Sequence, residues 1–399
     1  MKICMVGYTV YEKDGRLHRY ATSLAERGDT VHVIGSGEAD SPARSEVGGV
    51  RVYQLSSRDF SETTPATYLR NMIRFFYSSS LLLTRLHHKE KYDIIHYHNI
   101  PDFGVFCAWY PKLTGAKVIL DIHDLVPEFY MRKFGVGEGE PIIRLLKWVE
   151  KISCRFADHV ITVTDIWRKR LAMRAVPSRK TSVIMNLPMD AVFRKVPFRL
   201  HHPGEPFIIR YHGNVAEQTG VDIAVHALHL LRDQIPDLRF RIIGEGRDSD
   251  KIQALIRKYR LHDRVSLHPS VPVMELARHL KDAHLAVDPK RSGVYAGETL
   301  SVKSMEYLRL GIPLIASRTV AADHYFDERF VRFFDPENPE SLADAIRDLY
   351  ADPAKRRNLS DNAALFFERH DWEKTRVTYH RILAGLTGRS VNSQDSPAC

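Results

Sequence analysis

Glu298 and Glu306 stand in the stretch GETLSVKSMEYLRLGIP, which runs from Gly297 to Pro313 and leaves seven residues between the two acids. Ser301 suits the N-cap of a helix and Gly311 its C′ position, with Pro313 just beyond. The spacing predicts a helix from about Val302 to Leu310. The first amides of such a helix have no internal partner and its dipole is positive at that end, so an anion fits there. Glu298 then belongs to the loop above the helix start. Glu306 sits one turn inside, three residues after Lys303 and on a nearby face.

These types and spacings suit one kind of ligand. Amides near Leu300 and Ser301 can take a diphosphate, and Lys303 can add positive charge to it. A carboxylate offers two oxygens with several lone pairs, so each glutamate can accept from neighbouring hydroxyls. A nucleotide sugar has hydroxyls on both sides of a diphosphate. By themselves, two glutamates at this spacing also describe a solvated loop acid and an exposed helical acid.

The elements that position these residues follow from hydrophobic patterning. KICMVG, TVHVIG, VRVYQL, YDIIHYH, AKVILDIHD and HVITVT read as strands of one sheet. FIIRYHG, RFRIIGEG, RVSLHP, LAVDPK and PLIAS read as strands of a second. Helical patterns such as RLHRYATSLAERG and GVDIAVHALHLLRDQ fall between them, and strand–helix alternation argues for parallel sheets covered by helices. The pattern occurs twice. The proline-bearing VPFRLHHPGEP, Val196–Pro206, reads as the linker. We expect an N-terminal domain over 1–195, a second domain over 196–370, a last helix over 371–388 and a disordered tail over 389–399.

A chain of 399 residues can carry two full cores. Hydrophobic residues make up 44% and charged residues 27%, the balance of a globular protein. No window approaches the ~18 apolar residues of a membrane span, and MKICMVGYTV lacks the features of a signal peptide. Cys4, Cys107, Cys154 and Cys399 form no Cys-x-x-Cys pair, so neither a zinc site nor a disulfide framework is expected, and a reducing cytoplasm is the expected compartment. The net charge of +9 suits either an anionic partner or plain solubility. The segment ATYLRNMIRFFYSSSLLLTRLHHKEK is amphipathic and basic as a helix. It suits either packing on the sheet or docking on an anionic membrane surface.

The stretch from Gly297 resembles the E-x7-E signature of retaining glycosyltransferases with the GT-B fold, family 4 in particular, and SMEYLRLGIPLIAS is similar to that family's helix, glycine turn and strand. MKICMVG, LAERGDTVHVIGSG, YDIIHYHN, VILDIHDLVPE, VIMNLPMD, YHGNVAEQTGVDIAVHAL and RFRIIGEG resemble further family segments in the family's order, up to about Glu368. The resemblance implies an α/β GT-B fold of two Rossmann-like domains with parallel sheets facing across a cleft. The last helix would pack back on the first domain. It implies that Glu298 contacts the donor sugar and Glu306 the ribose. Gly213, Asn214, Arg291, Leu300, Ser301 and Lys303 join Glu306 as donor-binding candidates. His123 and Asp124 of VILDIHD join Glu298 as catalytic candidates, with His123 beside the sugar and Asp124 orienting either His123 or the loop. Gly15 and His98 are assigned to the acceptor side. Where many relatives carry a Lys-Gly step, this loop reads Gln218-Thr219-Gly220, so Lys290, Arg291 or Lys303 must supply positive charge.

The activity implied is retaining, metal-independent transfer by front-face substitution, in which the departing phosphate oxygen helps to deprotonate the acceptor hydroxyl. Asp248–Asp250 of DSD is read as a helix start, so no metal ligand is expected. No cofactor is expected beyond the nucleotide-sugar donor. The acceptor would be a glycan or polyprenyl-linked, in bacterial surface polysaccharide synthesis on the inner face of the membrane, and nucleic acid is no partner. A nicotinamide dehydrogenase is disfavoured, because the first loop, GYTVYEKDG, lacks G-x-G-x-x-G and the second strand ends VIGSG without an acid. A nucleotide-sugar 2-epimerase of the same fold and a catalytically silent partner in a glycan assembly complex remain as alternatives.

Overall fold

The computed structural model describes residues 1–38, 42–57 and 65–389. The chain divides into two compact units, one of Met1–Asn186 with Trp372–Cys399 and one of Leu187–Asp371. The sequence places the first boundary at 195/196; here it falls nine residues earlier. The physical reason is packing. Phe193 is fully buried, Asp190 pairs with Arg309 at 2.7 Å, and Val196 N donates to Leu310 O at 3.0 Å. Arg389, the first residue of the expected tail, pairs with Asp93 at 2.9 Å; residues 390–399 lie outside the described residues.

Among the described residues the first unit contains eight strands: β1 Lys2–Val10, β2 Thr30–Gly37, β3 Arg44–Val47, β4 Val50–Ser57, β5 Ile94–His98, β6 Lys117–Ile122, β7 His159–Thr162 and β8 Thr181–Val183. Their order is β3-β4-β2-β1-β5-β6-β7-β8, parallel except for the β3–β4 pair. That antiparallel edge departs from the all-parallel expectation. It is closed by Gly48 and Gly49, at φ 57° and 79°, which permit the tight turn that L side chains resist. The central strands are buried on both faces, which is why KICMVG and YDIIHYH read as nearly unbroken apolar runs.

The Pro65–Glu90 helix turns Met72, Phe75, Ser79, Leu83 and His87 inward at helical spacing. Its outward face leaves Leu69, Ile73, Tyr77 and Leu81 exposed. The last helix, Trp372–Thr387, buries Tyr379 and Leu383 in the same core as Met5, Tyr20 and Ile94.

The second unit contains β9 Phe207–His212, β10 Leu238–Ile243, β11 Val265–His268, β12 Leu285–Asp288, β13 Leu314–Ser317 and β14 Val331–Phe334. All pairs are parallel, in the order β11-β10-β9-β12-β13-β14. The order reverses between β9 and β12, and in the first unit between β1 and β5. In doubly wound sheets such a reversal opens a crevice at the carboxyl ends of the strands, where ligands bind. Helix Val221–Leu231 covers one face and contributes Ala224, Leu228 and Leu231 to the core. Among the described residues no helix is long and apolar enough to cross a membrane.

Candidate functional site

The helix expected after Ser301 is present as Val302–Leu310, with Ser301 at the N-cap and Gly311 at φ 72°. It starts beside the carboxyl end of β12. Ser301 Oγ accepts from Ser304 N at 3.5 Å, and Ser304 Oγ donates to Asp288 Oδ2 at 2.6 Å. The cavity beneath this start, lined by Asp288, Lys290, Thr299, Ser301, Ser304 and Ser317 among others, measures only about 10 Å³. That is room for about one water, so a diphosphate can reach the helix start only from outside it. Leu300 is buried, and Lys290 Nζ donates to Thr299 O at 2.6 Å, which fixes the loop on both sides of it.

Lys303 departs in part from its expected role. Its ammonium donates to the Tyr211 hydroxyl at 3.1 Å and lies 3.5 Å from Asp288 Oδ1. Asp288 is buried at the end of β12, and a buried carboxylate needs a cation close by. Burial opposes ionisation of Asp288, but Lys303 and the Ser301 and Ser304 hydroxyls outweigh it and hold the carboxyl below its ordinary range. Burial likewise works against the Lys303 charge, and Tyr211 and Asp288 overcome it, holding the amine above its ordinary value. An ammonium has three donors. Tyr211 takes one of them in a hydrogen bond, and Asp288 Oδ1 pairs with the charge at 3.5 Å without one.

Gly213 follows β9 at φ 107°, and a Cβ there would come 3.0 Å from Lys303 Cδ. The lysine stem thus lies across the bare backbone of Gly213. Asn214 O accepts from Tyr211 Oη at 2.7 Å, which ties the same loop to the Lys303 contact. Gly244, at φ 151°, packs against the Gly213 carbonyl so closely that a Cβ would overlap it. Glu306 Oε2 lies 2.6 Å from His212 Nε2, so the carboxylate is steered to the end of β9. His212 Nδ1 is buried, with no hydrogen-bond partner among the described residues. Gly213, Asn214, Ser301, Lys303 and Glu306 therefore share the crevice where the strand order reverses. Glu298 is half-buried in the loop before the helix. Gly297 holds that loop, donating to Gly293 O at 2.7 Å and accepting from Ala321 N at 2.8 Å.

Arg291 serves another contact. Its guanidinium donates to Asp222 Oδ2 at 2.6 Å and to Glu217 O at 2.9 Å, clamping the loop that carries Gln218-Thr219-Gly220. Ion pairing with Asp222 takes up the charge that the sequence assigns to a phosphate.

In the first unit, His98, His123, Asp124 and Gly15 all lie near strand carboxyl ends or the helix that follows. Gly15 begins the Gly15–Glu26 helix, whose N-cap Asp14 accepts from Arg16 N at 3.1 Å and Leu17 N at 2.9 Å. Arg16 reaches Asp121 with two bonds, 2.7 Å from Nε and 2.8 Å from Nη2. His98 Nδ1 lies 3.1 Å from the same carboxylate. Burial would raise the Asp121 carboxyl, yet Arg16 and His98 hold it well below the ordinary range. With Asp121 ionised, Nδ1 of His98 donates, and its buried Nε2 has no partner among the described residues. His96 Nδ1 lies 2.9 Å from the Tyr379 hydroxyl, and burial with His98 beside it drives the His96 pKa well down.

His96, His98 and Asp121 could by distance hold a metal, since one ligand atom from each falls within 4.8 Å of the others. The Arg16 guanidinium on both carboxylate oxygens opposes a second cation, so this cluster fits a charge network better than a metal centre.

Asn99 organises the turn that bears His123 and Asp124. Its Oδ1 accepts from His123 N at 3.1 Å and Asp124 N at 3.4 Å, and its Nδ2 donates to Asp124 O at 2.6 Å and Asp102 Oδ1 at 2.8 Å. The sequence alone does not single out Arg16, Asn99, Asp102, Asp121 or His212. Asn99 and His212 adjoin candidate residues, in HYHN and RYHG, and that adjacency is the one signal they carry.

Residues 15–186 match the family model described as glycosyl transferase 4-like domain, and residues 192–366 match glycosyl transferases group 1. The chain is 23% identical over 395 residues to a component of the phosphatidylinositol N-acetylglucosaminyltransferase of Homo sapiens, covering 95% of this chain and 76% of that protein. It is 28% identical over 164 residues to WcaL of Escherichia coli, a glycosyltransferase assigned to colanic acid biosynthesis. That match covers 41% of this chain and 40% of that protein. Sucrose-phosphate synthase from Thermosynechococcus elongatus superposes with a TM-score of 0.77 at 19% identity, covering 98% of this chain and 100% of that one.

Proposed function

The chain belongs to the group 1, family 4-like glycosyltransferases of GT-B fold, and we propose that it moves a sugar, with retention and without a metal, from a nucleoside-diphosphate sugar to a glycan or lipid-linked hydroxyl. The observation that carries this reading is the steering of Glu306 to the end of β9 by His212, beside Gly213 and the Lys303 ammonium. A carboxylate there accepts from ribose hydroxyls. The Lys303 ammonium and the first-turn amides meet the diphosphate. Glu298, in the preceding loop, contacts the sugar.

As the bond from the anomeric carbon to the diphosphate breaks, charge grows on the leaving oxygen, and groups already fixed in place stabilise it with little reorganisation. The acceptor oxygen then bonds to the anomeric carbon and its proton passes to the departing phosphate. His123, on the turn fixed by Asn99, supports the positive character of the sugar, and Asp124 holds the turn. His98 and Gly15 belong to the acceptor side. Similarity to WcaL supports an acceptor in bacterial surface polysaccharide synthesis. The basic, apolar outer face of the Pro65–Glu90 helix supports work at the cytoplasmic surface of a membrane.

The test is a thermal-shift screen against sugar nucleotides, followed by kinetics on two variants. Glu306→Ala removes charge-assisted hydrogen bonds worth about 1.5–3 kcal/mol, so donor affinity should fall roughly 10- to 150-fold. His123→Ala should cut turnover more than donor affinity. Wild-type kinetics from both variants would refute the assignment. Release of an isomerised nucleotide sugar with no acceptor present would identify an epimerase instead.

A further inference from the structure

The first unit holds an apolar pocket of about 350 Å³ that the transfer chemistry leaves unused. Its walls include Leu69 and Met72 of the Pro65–Glu90 helix, Phe103, Phe129 of the Val126–Phe134 helix, and Leu146 and Val149 of the Pro141–Phe156 helix. Asp102 is the one carboxyl, amine or guanidinium among its lining residues. It accepts from Asn99 Nδ2 at 2.8 Å, and the same nitrogen donates to Asp124 O at 2.6 Å. The polar end of the pocket therefore adjoins the His123–Asp124 turn.

The exterior is consistent with this. The same two long helices leave Leu69, Ile73, Leu145 and Trp148 between 40% and 57% exposed. They also present Arg70, Arg74, Arg144 and Lys151 to solvent. Apolar side chains set among cations suit an amphiphile with a hydrocarbon chain and an anionic head.

We propose that this pocket takes the hydrocarbon chain of the acceptor, whose phosphorylated head lies at the His123–Asp124 turn. As an acceptor site it rests on the transfer reading above; as a site for a hydrocarbon chain it does not. The cavity is finite, so only a limited length of chain can enter it. Burying each methylene should tighten binding about fourfold.

The experiment is calorimetric titration of the whole chain with monoalkyl phosphates of six to twelve carbons, kept below micelle formation. Affinity should rise about fourfold per carbon and level off once the cavity is full. Val149→Phe, which projects a ring into the pocket from its wall, should weaken decyl phosphate binding at least tenfold and leave nucleotide-sugar binding unchanged. The length series needs only the unaltered protein, so it decides the matter even where the variant fails to fold. Absence of saturable binding, affinity indifferent to chain length, or a folded Val149→Phe with wild-type affinity would overturn the proposal. Length-dependent alkyl phosphate binding without any nucleotide-sugar binding would instead sink the transfer reading and leave the hydrocarbon site standing.

Discussion

Replacing Asp102 by asparagine should stabilise the first unit at neutral pH, and the gain should grow with pH. Asp102 is 2% exposed. Burial, with Glu150 adding to it, pushes its carboxyl up to about 8 from an ordinary 3.8, against the opposing effects of Asn99 and Arg174. Between those values the folded chain keeps a proton that the unfolded chain releases. Stability is then full below the ordinary value and is lost as pH rises toward the folded one, the reverse of an ion-paired carboxylate. Each pH unit is about 1.4 kcal/mol. The loss is therefore about 4 kcal/mol by pH 7 and approaches ~6 kcal/mol near pH 8.

Asparagine keeps an oxygen for Asn99 and does not titrate. The stability of Asp102→Asn minus that of the wild type should climb by about 1.4 kcal/mol per pH unit from pH 4 to 8, then level off. Any hydrogen bond gained or lost by the substitution offsets this line without changing its slope. Amide hydrogen exchange in β5 and β6 is the assay, because it reads opening of this unit alone in a chain whose two units need not unfold together. Comparing both proteins at one pH cancels intrinsic exchange rates. A difference that stays flat from pH 5 to 8, or shrinks as pH rises, refutes the reasoning.

Two further substitutions probe the frame around each crevice. Gly244→Ala drives a methyl into the Gly213 carbonyl and should cost the second unit about 3 kcal/mol; an unchanged urea midpoint for that unit would count against the close approach. Tyr379→Phe leaves the buried His96 Nδ1 without its hydroxyl partner and should cost about 1–3 kcal/mol, seen as faster exchange in β5, whereas unaltered protection would show the bond to be idle.

What the sequence reveals is mostly local. Ser301, Gly311 and Pro313 bracket a helix by their own backbone preferences, and the helix stands between them. Buried parallel strands betray themselves as apolar runs. β3, β8 and β14 escape a reading of the sequence, although the Gly48-Gly49 pair does signal a turn. The chemistry hides for a physical reason. Arg16 and Asp121 are 105 positions apart, and His212 and Glu306 are 94 apart. Only the strand order brings them together, and nothing in either neighbourhood announces the other. Lys303 and Arg291 read as charges free for phosphate because their partners, Asp288 and Asp222, lie on other elements.

The first unit is built from two separated lengths of chain, and this has a consequence for biosynthesis. Its core closes on Tyr379 and Leu383, which are translated only after all of residues 187–371. At about 5–20 residues per second, that intervening stretch takes a ribosome roughly 10–40 s. Through that interval the nascent sheet lacks the wall that Tyr379 builds over Tyr20 and His96. The earliest part of the polypeptide thus cannot finish until nearly the whole of it has been made.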